Sequence, residues 1–417
     1  MPVEIVMGFR RMFPTAVTPI AVDIGASSIK LLQLSGGEEQ AILAAREVVI
    51  PEEARLNIDR RFAFFAETLP GVLKSGGFKG RRVVCSPSSS HFTIQQVEVQ
   101  AESPISVDDQ VRGEIALRLG CPASAVVARS YQMPSSRPDT SERVCLAIAR
   151  DDVMRHVELF KRCRMDLVGV HPDHTAMMYG FQHLHRRVED DDVVTMYVDA
   201  GWGSVKVVLG QGKDLVFGRI VQVGGRHIDQ ACADAWAVTP AEAQARRKRE
   251  EEIAPSVPSS APVDMSIEKS SAILRAGLAK AQADDATAAE TAFTATLVNR
   301  RKGGVDPLGN DVIEMPCRNG YSEIYETIGD ELSLCARYAA AAIEGSTIHR
   351  LVFLGGECRS RSLASHLAQA VGVKASVGDP LSRFMAATPK GVVDIDSNCE
   401  HPEWAVACGL CAAPMEL

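Results

Sequence analysis

The sequence predicts an α/β protein built from two matching halves, because one short motif occurs twice. The first copy is Asp23-Ile-Gly-Ala-Ser-Ser-Ile-Lys30, and the second is Asp199-Ala-Gly-Trp-Gly-Ser-Val-Lys206. Both copies carry Asp, Gly, Ser and Lys at the same four places. An apolar run leads into each copy and another follows it, which is typical of a strand, a tight turn and a returning strand. Strand-like and helix-like patterns continue through the rest of the chain.

The residue types of the repeated motif favour phosphate binding. A turn of Gly, Ala and Ser lets backbone N–H groups converge on one point without a side chain in the way, and such a concavity binds phosphate oxygens. Lys30 adds a positive charge, and an Asp at the end of the incoming strand suits a hydrated Mg²⁺ ion. Either copy alone is better explained as an ordinary hairpin turn. The matched pair predicts two loops that hold a polyphosphate from opposite sides.

Composition excludes several classes of protein. The chain has 417 residues, 46% of them hydrophobic and 24% charged, which indicates a soluble globular protein of two or more domains. A formal net charge of −8 gives no electrostatic footprint for nucleic acid. No apolar run is long enough to span a bilayer. The eleven cysteines are scattered and odd in number, which favours reduced thiols in the cytosol. The single CxxC, Cys408 to Cys411, is interpreted as part of a buried helix rather than a zinc or redox site.

In the first half, a strand at 41–50 follows the first hairpin, and a helix at 59–74 and a strand at 82–85 come next. The block 91–166 then changes pattern: its strands and helices alternate and have their own apolar faces, which predicts an inserted α/β subdomain. The chain returns through a strand at 167–170 to a helix starting at Asp173. His171, Asp173 and His174 suggest a metal or a general base, but Asp at a helix start is more often a cap.

The second half repeats this order with one addition. After the second hairpin come a strand at 215–223, the pair Gly224-Gly225, a helix at 227–236, and a second helix that Thr239-Pro240 begins. Residues 254–317 have linker-like and Ala-rich composition and are predicted to be a partly mobile insertion. The remaining predicted elements are a helix at 321–343, a strand at 351–354 ending in Gly355-Gly356, a helix at 360–371, a strand at 373–377 and a final apolar helix.

The stretch from Asp23 to Ser35, the Gly224-Gly225-Arg-His-Ile element and Leu354-Gly-Gly356 together resemble the PilM family. Those are cytoplasmic actin-like proteins of type IV pilus assembly, related to the division protein FtsA. The resemblance implies an actin-like (RNase H-like) duplicated fold with an inserted 1C-type subdomain. It implies the following division: a flexible tail at 1–19, a first lobe (1A) at 20–90 and 167–190, the 1C-like insertion at 91–166, and a second lobe (2A/2B) at 191–417. The alternative for the tail is a short basic and apolar segment that contacts a membrane surface.

The resemblance further implies ATP with Mg²⁺ in the central cleft. Asp23 and Asp199 would hold the hydrated Mg²⁺. The residues expected around the nucleotide are Gly25, Ala26, Ser27, Ser28 and Lys30 in the first loop, Gly201, Trp202, Gly203 and Ser204 in the second, and Gly225, Gln244, Arg247, Gly355 and Gly356 near the adenosine. Trp202 is bulky for its place, and Gln244 and Arg247 stand where related proteins carry an acidic residue and a lysine. No residue is identified as a catalytic base, so we expect slow or absent hydrolysis.

The function implied is a cytoplasmic ATP-binding scaffold of a type IV pilus or type II secretion platform, peripheral to the inner membrane. Its partner would be the cytoplasmic tail of a PilN-like bitopic membrane protein, with a pilus assembly ATPase or platform proteins as further partners and no nucleic acid. Three alternatives remain: a nucleotide-free binding module of the same fold, a small-molecule kinase of the same superfamily, and an FtsA-like division protein. The last would require a C-terminal amphipathic membrane helix, which residues 413–417 do not predict.

Overall fold

The structure is a computed structural model that describes residues 17–37, 39–100, 102–133, 140–253, 321–343, 347–388, 395–396 and 399–415. The whole predicted insertion at 254–317 and the predicted tail up to residue 16 lie outside the described residues. Thr18, which belongs to the predicted tail, is held to the body of the protein, because its backbone N–H donates to the carbonyl of Leu34 at 3.0 Å.

The strands of the described chain are numbered in order: β1 (Ile20–Ile24), β2 (Ser28–Leu34), β3 (Ile42–Val49), β4 (Arg82–Ser86), β5 (Phe92–Gln100), β6 (Val126–Gln132), β7 (Thr140–Ala149), β8 (Asp166–Val170), β9 (Val194–Ala200), β10 (Val205–Gln211), β11 (Asp214–Val221), β12 (Arg350–Leu354) and β13 (Ala375–Val377).

The α-helices of the described chain are α1 (Glu52–Arg55), α2 (Ile58–Ser75), α3 (Val107–Leu119), α4 (Arg150–Arg162), α5 (Asp173–Phe181), α6 (Gly225–Trp236), α7 (Pro240–Ile253), α8 (Ser322–Ala342), α9 (Arg361–Val371), α10 (Ser382–Met385) and α11 (Ala405–Ala412).

Two of the three sheets have the same topology. The first has the strand order β3-β2-β1-β4-β8, and the second has β11-β10-β9-β12-β13. In each sheet the first three strands are antiparallel and the remaining two run parallel to the central strand. The register also repeats, since Asp23 pairs with Lys30 and Asp199 pairs with Lys206. The duplicated α/β fold predicted from the repeated motif is therefore confirmed.

Central strands of both sheets are buried along nearly their whole length because helices cover both of their faces. All seven residues of β2 and all seven of β9 are buried. α11 packs on the first sheet, α5 packs on the second, and these two helices pack on each other. One apolar cluster therefore runs through both lobes, with members such as Leu32, Ala176, Tyr197 and Leu410. The CxxC helix is buried as predicted, and its two cysteines are unbridged.

The third sheet, β5-β7-β6, is antiparallel throughout and lies in the predicted insertion at 91–166. It shares a small core of its own with α3, in which Val97, Ile115 and Cys145 are buried. α4 belongs to the same predicted block, but Leu159 and Phe160 on this helix pack into the core of the first lobe. The inserted sheet therefore ends with β7, and α4 covers the first lobe.

Local chemistry explains where several helices begin. The side chain of Asn57 caps α2 by accepting from the N–H of Arg60, and Ser106 caps α3 in the same way. At α7 the predicted Thr239-Pro240 start is confirmed. Thr239 and Glu242 form a reciprocal pair, in which Glu242 accepts from the N–H of Thr239 and Thr239 accepts from the N–H of Glu242.

Candidate functional site

The two turns of the repeated motif have the same backbone geometry. In the first, the N–H of Gly25 donates to the carbonyl of Ser28 at 3.0 Å, and in the second, Gly201 donates to Ser204 at the same distance. A Cβ added at Gly25 would lie 2.8 Å from that carbonyl oxygen, and one at Gly201 would lie 3.1 Å from its counterpart. Both turns therefore close around a glycine that no larger residue replaces without displacement.

The tips of the two turns meet across a cleft of about 710 Å³. A Cβ added at Gly203 would lie 3.1 Å from the Cβ of Ala26, so the loops face each other as the matched motifs predict. The predicted residues that line this cleft are Asp23, Gly25, Ala26, Ser27, Ser28, Lys30, Asp199, Gly201, Trp202, Gly203, Ser204, Gln244, Gly355 and Gly356. Gly225 and Arg247 do not line it, and both lie against Glu357, which does.

Lys30 lies at the first turn, where its register on β2 places it opposite Asp23. Its ammonium donates to the hydroxyl of Ser28 at 2.8 Å and lies 3.4 Å from Glu47 Oε1. The side chain is largely buried, so this charge is fixed at the wall of the cleft rather than spread over the surface.

Lys206 is held differently from Lys30. Its ammonium donates to Asp199 Oδ2 and lies 3.3 Å from Asp173 Oδ2, at the start of α5. Burial alone would lower the pKa of Lys206, but Asp199 and Asp173 raise it well above the usual value for a lysine. Burial likewise acts to raise the pKa of Asp173, and Lys206 and His174 overcome this and hold it well below the ordinary range.

Asp23 is the third carboxylate of this group. Burial is the main cause that raises its pKa to about 6, and the nearby negative charges of Asp199 and Asp173 raise it further. Lys30 and Lys206 oppose that shift without cancelling it. The side of the cleft at the two turns thus contains three aspartates and two lysines, and one of those lysines is ion-paired to two of the aspartates.

The opposite side of the cleft is organised by Asp229 on α6, which is 2% exposed. Its Oδ2 accepts from the indole N–H of Trp202 at 3.1 Å and from the amide of Gln244 at 2.8 Å. Its Oδ1 accepts from Arg247, whose guanidinium also lies 2.8 Å from Glu357 Oε2. One buried carboxylate therefore orients Trp202 of the second turn and two of the residues expected near the adenosine, Gln244 and Arg247.

The glycines near this network have distinct roles. A Cβ at Gly225 would lie 2.3 Å from Glu357 Oε1, so this glycine makes room for the Glu357 carboxylate. Gly355 has a φ of +86° and would place a Cβ 2.2 Å from Asp199 Oδ1, so both its conformation and its surroundings require glycine. Gly356 has open space around it and borders the cleft.

Arg55, on α1 of the first lobe, crosses the mouth of the cleft. Its guanidinium lies 5.3 Å from the centroid of the Trp202 ring, a cation–π distance, and its Nη1 lies 3.4 Å from Gln244 Oε1. Its Nε donates to the carbonyl of Ile50 at 2.8 Å, which anchors the side chain in its own lobe. The bulky Trp202 therefore takes part in a contact between the lobes.

Sequence reasoning missed several residues of this site: Arg55, Lys206, Asp229, Glu357 and, as a site residue, Asp173. Lys206 belongs to the repeated motif, so a signal for it existed. Asp173 was interpreted as a helix cap, whereas its carboxylate faces Lys206. Asp229 and Glu357 each follow a Gly-Gly pair within a few residues, which is a weak signal at best.

The carboxylates of this site are poorly arranged to hold the expected Mg²⁺ ion. Asp199 accepts from Lys206 on one oxygen and has its other oxygen against the backbone at Gly355. Within the ranges that the structure describes, no group of three or more His, Cys, Asp or Glu residues is placed to hold a metal ion.

Among the described helices, none is long and apolar enough to cross a membrane.

Two sheets of equal topology, with paired glycine–serine turns facing one cleft, define the actin-like ATPase fold. Residues 21–260 match the family model of the type IV pilus assembly protein PilM. The chain belongs to this PilM family.

A solved structure supports the same fold. A PilM–PilN type IV pilus biogenesis complex matches with a TM-score of 0.69 at 17% identity, over 96% of this chain and 100% of the other. A more distant match is the ethanolamine utilization protein EutJ from Carboxydothermus hydrogenoformans, with a TM-score of 0.42 at 9% identity, over 96% of this chain and 90% of the other. Another is MreB5 of Spiroplasma citri bound to ADP, with a TM-score of 0.40 at 11% identity, over 89% of this chain and 94% of the other. Comparison with curated proteins finds no match.

Proposed function

We propose that this protein is a nucleotide-binding scaffold of a type IV pilus or related secretion assembly platform. It works at the cytoplasmic face of the inner membrane and is held there by a membrane-anchored partner. Family membership supports the assembly role, and the site supports the nucleotide. We expect ATP to act as a structural ligand with slow or absent turnover.

One observation carries the nucleotide proposal: the two turns face each other at Ala26 and Gly203 across a single cleft. The cleft volume of about 710 Å³ lies within the range of about 300–1,000 Å³ typical of small-molecule sites. Backbone N–H groups of both turns, the hydroxyl of Ser28 and the ammonium of Lys30 supply donors for phosphate oxygens at one end. Gly356, which has open space around it, and Gln244 also line the cleft and would leave room for the adenosine.

The proposed partner is the cytoplasmic tail of a PilN-like membrane protein. Its support is family membership and the matched structure named as a PilM–PilN complex. The tail would dock between the first lobe and the inserted sheet β5-β7-β6. Nucleotide in the cleft contacts both lobes, so it would favour the closed arrangement and change the affinity for the tail by population shift.

A thermal melt with ATP and Mg²⁺ tests the nucleotide proposal. Ligand at about a hundred times its Kd stabilises a protein by about 2.7 kcal/mol, which raises the melting temperature measurably. Lys30→Ala should lose this shift, because it removes the fixed ammonium. The matched control is Lys74→Ala, an exposed lysine of the same lobe outside the cleft, and it should keep the shift. If the wild-type melt does not respond to ATP at any concentration, the proposal is wrong.

A pull-down tests the partner. Immobilised cytoplasmic tails of the bitopic proteins encoded with this chain should retain the wild-type protein, and the retained amount should change when ATP is added. Lys30→Ala should be retained equally with and without ATP, because it keeps the docking surface and loses the nucleotide. A tail that binds neither form contradicts the docking proposal and leaves nucleotide binding standing.

A second candidate is a nucleotide-free binding module of the same fold. The network of Asp229, Arg247 and Glu357 favours it, because these buried ion pairs fill space beside the expected adenosine position. In this case the tail would bind with an affinity that ATP does not alter, and the melt would not shift.

The small-molecule kinase has less support. It needs a carboxylate base beside the phosphate loops, and Asp173 lies there. Lys206 and His174 hold the pKa of Asp173 well below the ordinary range, which makes it a weak base. Release of ADP that depends on an added hydroxyl substrate would restore this alternative.

A further inference from the structure

The ammonium of Lys206 occupies the centre of the carboxylate group in the cleft. Asp199, at the end of β9, accepts a hydrogen bond from it, and Asp173, at the start of α5, lies 3.3 Å away. The side chains of Lys206, Asp173 and Asp199 are 14%, 5% and 11% exposed. Asp23 interacts electrostatically with all three from the first lobe. A lysine thus holds the position where oxygen ligands from both lobes converge.

The oxygens of Asp199 and Asp173 already have partners. Asp199 Oδ2 accepts from Lys206, and its Oδ1 lies against Gly355. Asp173 Oδ1 accepts from the backbone N–H of His174 at 3.0 Å, and its Oδ2 faces Lys206. Mg²⁺ demands near-ideal octahedral geometry with short bonds to oxygen, and it dehydrates reluctantly. A metal ion would have to displace a buried ammonium that two carboxylates hold.

The two halves of the repeat have diverged at this lysine. In the first half, Lys30 donates to Ser28 and approaches Glu47 on β3. In the second half, Lys206 has the same register opposite its aspartate but reaches Asp173 on a helix from the first half of the chain. The ammonium of Lys206 is therefore ion-paired to the carboxylates, whereas the ammonium of Lys30 lies at the first turn.

Electrostatics gives this arrangement a consequence for ligand binding. Uncompensated carboxylates beside a polyphosphate would repel it, and a divalent cation normally removes that repulsion. We propose that Lys206 replaces the divalent cation, so that the cleft binds the polyphosphate of its nucleotide without a metal ion. This inference rests on the proposed nucleotide site and specifies how that site balances its charge.

The test compares binding of a fluorescent ATP analogue in excess EDTA and in excess Mg²⁺. The wild-type protein should bind with dissociation constants that agree within about threefold in the two conditions, a difference below about 0.7 kcal/mol. Binding only in Mg²⁺ overturns the inference and leaves the proposed nucleotide function intact. Binding in neither condition overturns both, so the two failures are distinguishable.

Variants of Lys206 sharpen the test. Lys206→Met keeps the apolar stem and removes the charge, so binding in EDTA should weaken at least about tenfold and recover when Mg²⁺ is added. Lys206→Arg keeps the charge and should stay independent of metal. The matched control is Lys213→Met, an exposed lysine just beyond the other end of β10, which should behave as the wild type. Equal metal dependence in Lys206→Met and wild type overturns the inference.

A measurement without nucleotide provides the second readout. Titration of the protein with Mn²⁺ alone, followed by electron paramagnetic resonance, should show no tight site in the wild type and a new one in Lys206→Met. Tight binding of Mn²⁺ to the wild type that Asp199→Asn abolishes would overturn the inference. If Lys206→Met does not fold, the wild-type EDTA and Mn²⁺ titrations decide the question on their own.

Discussion

Asp229 accepts two hydrogen bonds from Arg247 on a single oxygen: Oδ1 lies 3.2 Å from Nε and 2.7 Å from Nη2. The other oxygen of Asp229 accepts from Trp202 and Gln244. One buried carboxylate thus joins the second turn to helices α6 and α7. Because both of its oxygens are used, its removal would leave several buried donors without an acceptor.

We therefore expect Asp229→Ala to lower the free energy of unfolding by about 3 kcal/mol, since it leaves the donors of Trp202 and Gln244 without their acceptor and removes one of the two carboxylates that hold Arg247. The matched control is Asp234→Ala, an exposed residue of the same helix that accepts a hydrogen bond from Gln230, and it should change stability by less than about 0.5 kcal/mol. Urea unfolding followed by circular dichroism measures both. Similar losses in the two variants would contradict the role assigned to Asp229.

The contact of Arg55 with Trp202 predicts an effect on the rate at which a bound nucleotide dissociates. A cation–π pair and a hydrogen bond to Gln244 together are worth about 1.4 kcal/mol, and they hold the two lobes together at the mouth of the cleft. In Arg55→Ala a bound fluorescent ATP analogue should dissociate about tenfold faster, measured by stopped-flow displacement. Arg60→Ala removes an exposed arginine at the start of α2 and should leave the rate unchanged. Equal rates for wild type and Arg55→Ala would show that this contact does not gate the cleft.

The two turns of the site could be predicted from the sequence, because their signal is local. Asp23, Gly25, Ser28 and Lys30 lie within eight residues, and their spacing specifies a strand, a turn and a returning strand. The second copy adds the evidence of duplication, and the structure gives both copies the same register. Short-range chemistry of this kind does not depend on how the rest of the chain folds.

The other side of the site could not be predicted in this way. The acceptor Asp229 is 27 residues from Trp202, 15 from Gln244 and 18 from Arg247, and no motif connects them. Lys206 lies in the motif on β10, yet its role depends on Asp173, which the fold brings in from helix α5. The amphipathic pattern of α4 predicts a helix, but it does not tell which of two sheets that helix covers. Each of these features is decided by tertiary packing.

Glu403 predicts a dependence of stability on pH. Burial would raise its pKa, but hydrogen bonds from His401 and Arg359 lower the pKa of Glu403 to about 2. A carboxylate with a depressed pKa stabilises the folded state above its unfolded pKa of 4.5, and this contribution is lost as the pH falls toward about 2. Glu403→Gln should therefore cost about 2 kcal/mol at neutral pH and much less at about pH 3. Glu400→Gln, an exposed neighbour, should cost little at either pH. Unfolding by urea at the two pH values measures the difference, and an equal cost of Glu403→Gln at both would contradict it.

The last prediction concerns the helix pair that joins the lobes. Gly409 on α11 faces α5, where an added Cβ would lie 1.7 Å from the carbonyl oxygen of Ala176. Because that oxygen belongs to the backbone, it cannot move aside as a flexible side chain would, and Gly409→Ala must push the helices apart. We expect a loss of at least about 2 kcal/mol in the free energy of unfolding. Gly113→Ala on α3 makes the same change where the added Cβ meets open space, so it should stabilise by about 0.5–1 kcal/mol through helix propensity alone. Parallel urea titrations should therefore show a lower free energy of unfolding for Gly409→Ala and a higher one for Gly113→Ala. Two changes of the same sign would mean that the close approach of α5 and α11 does not limit packing between the lobes.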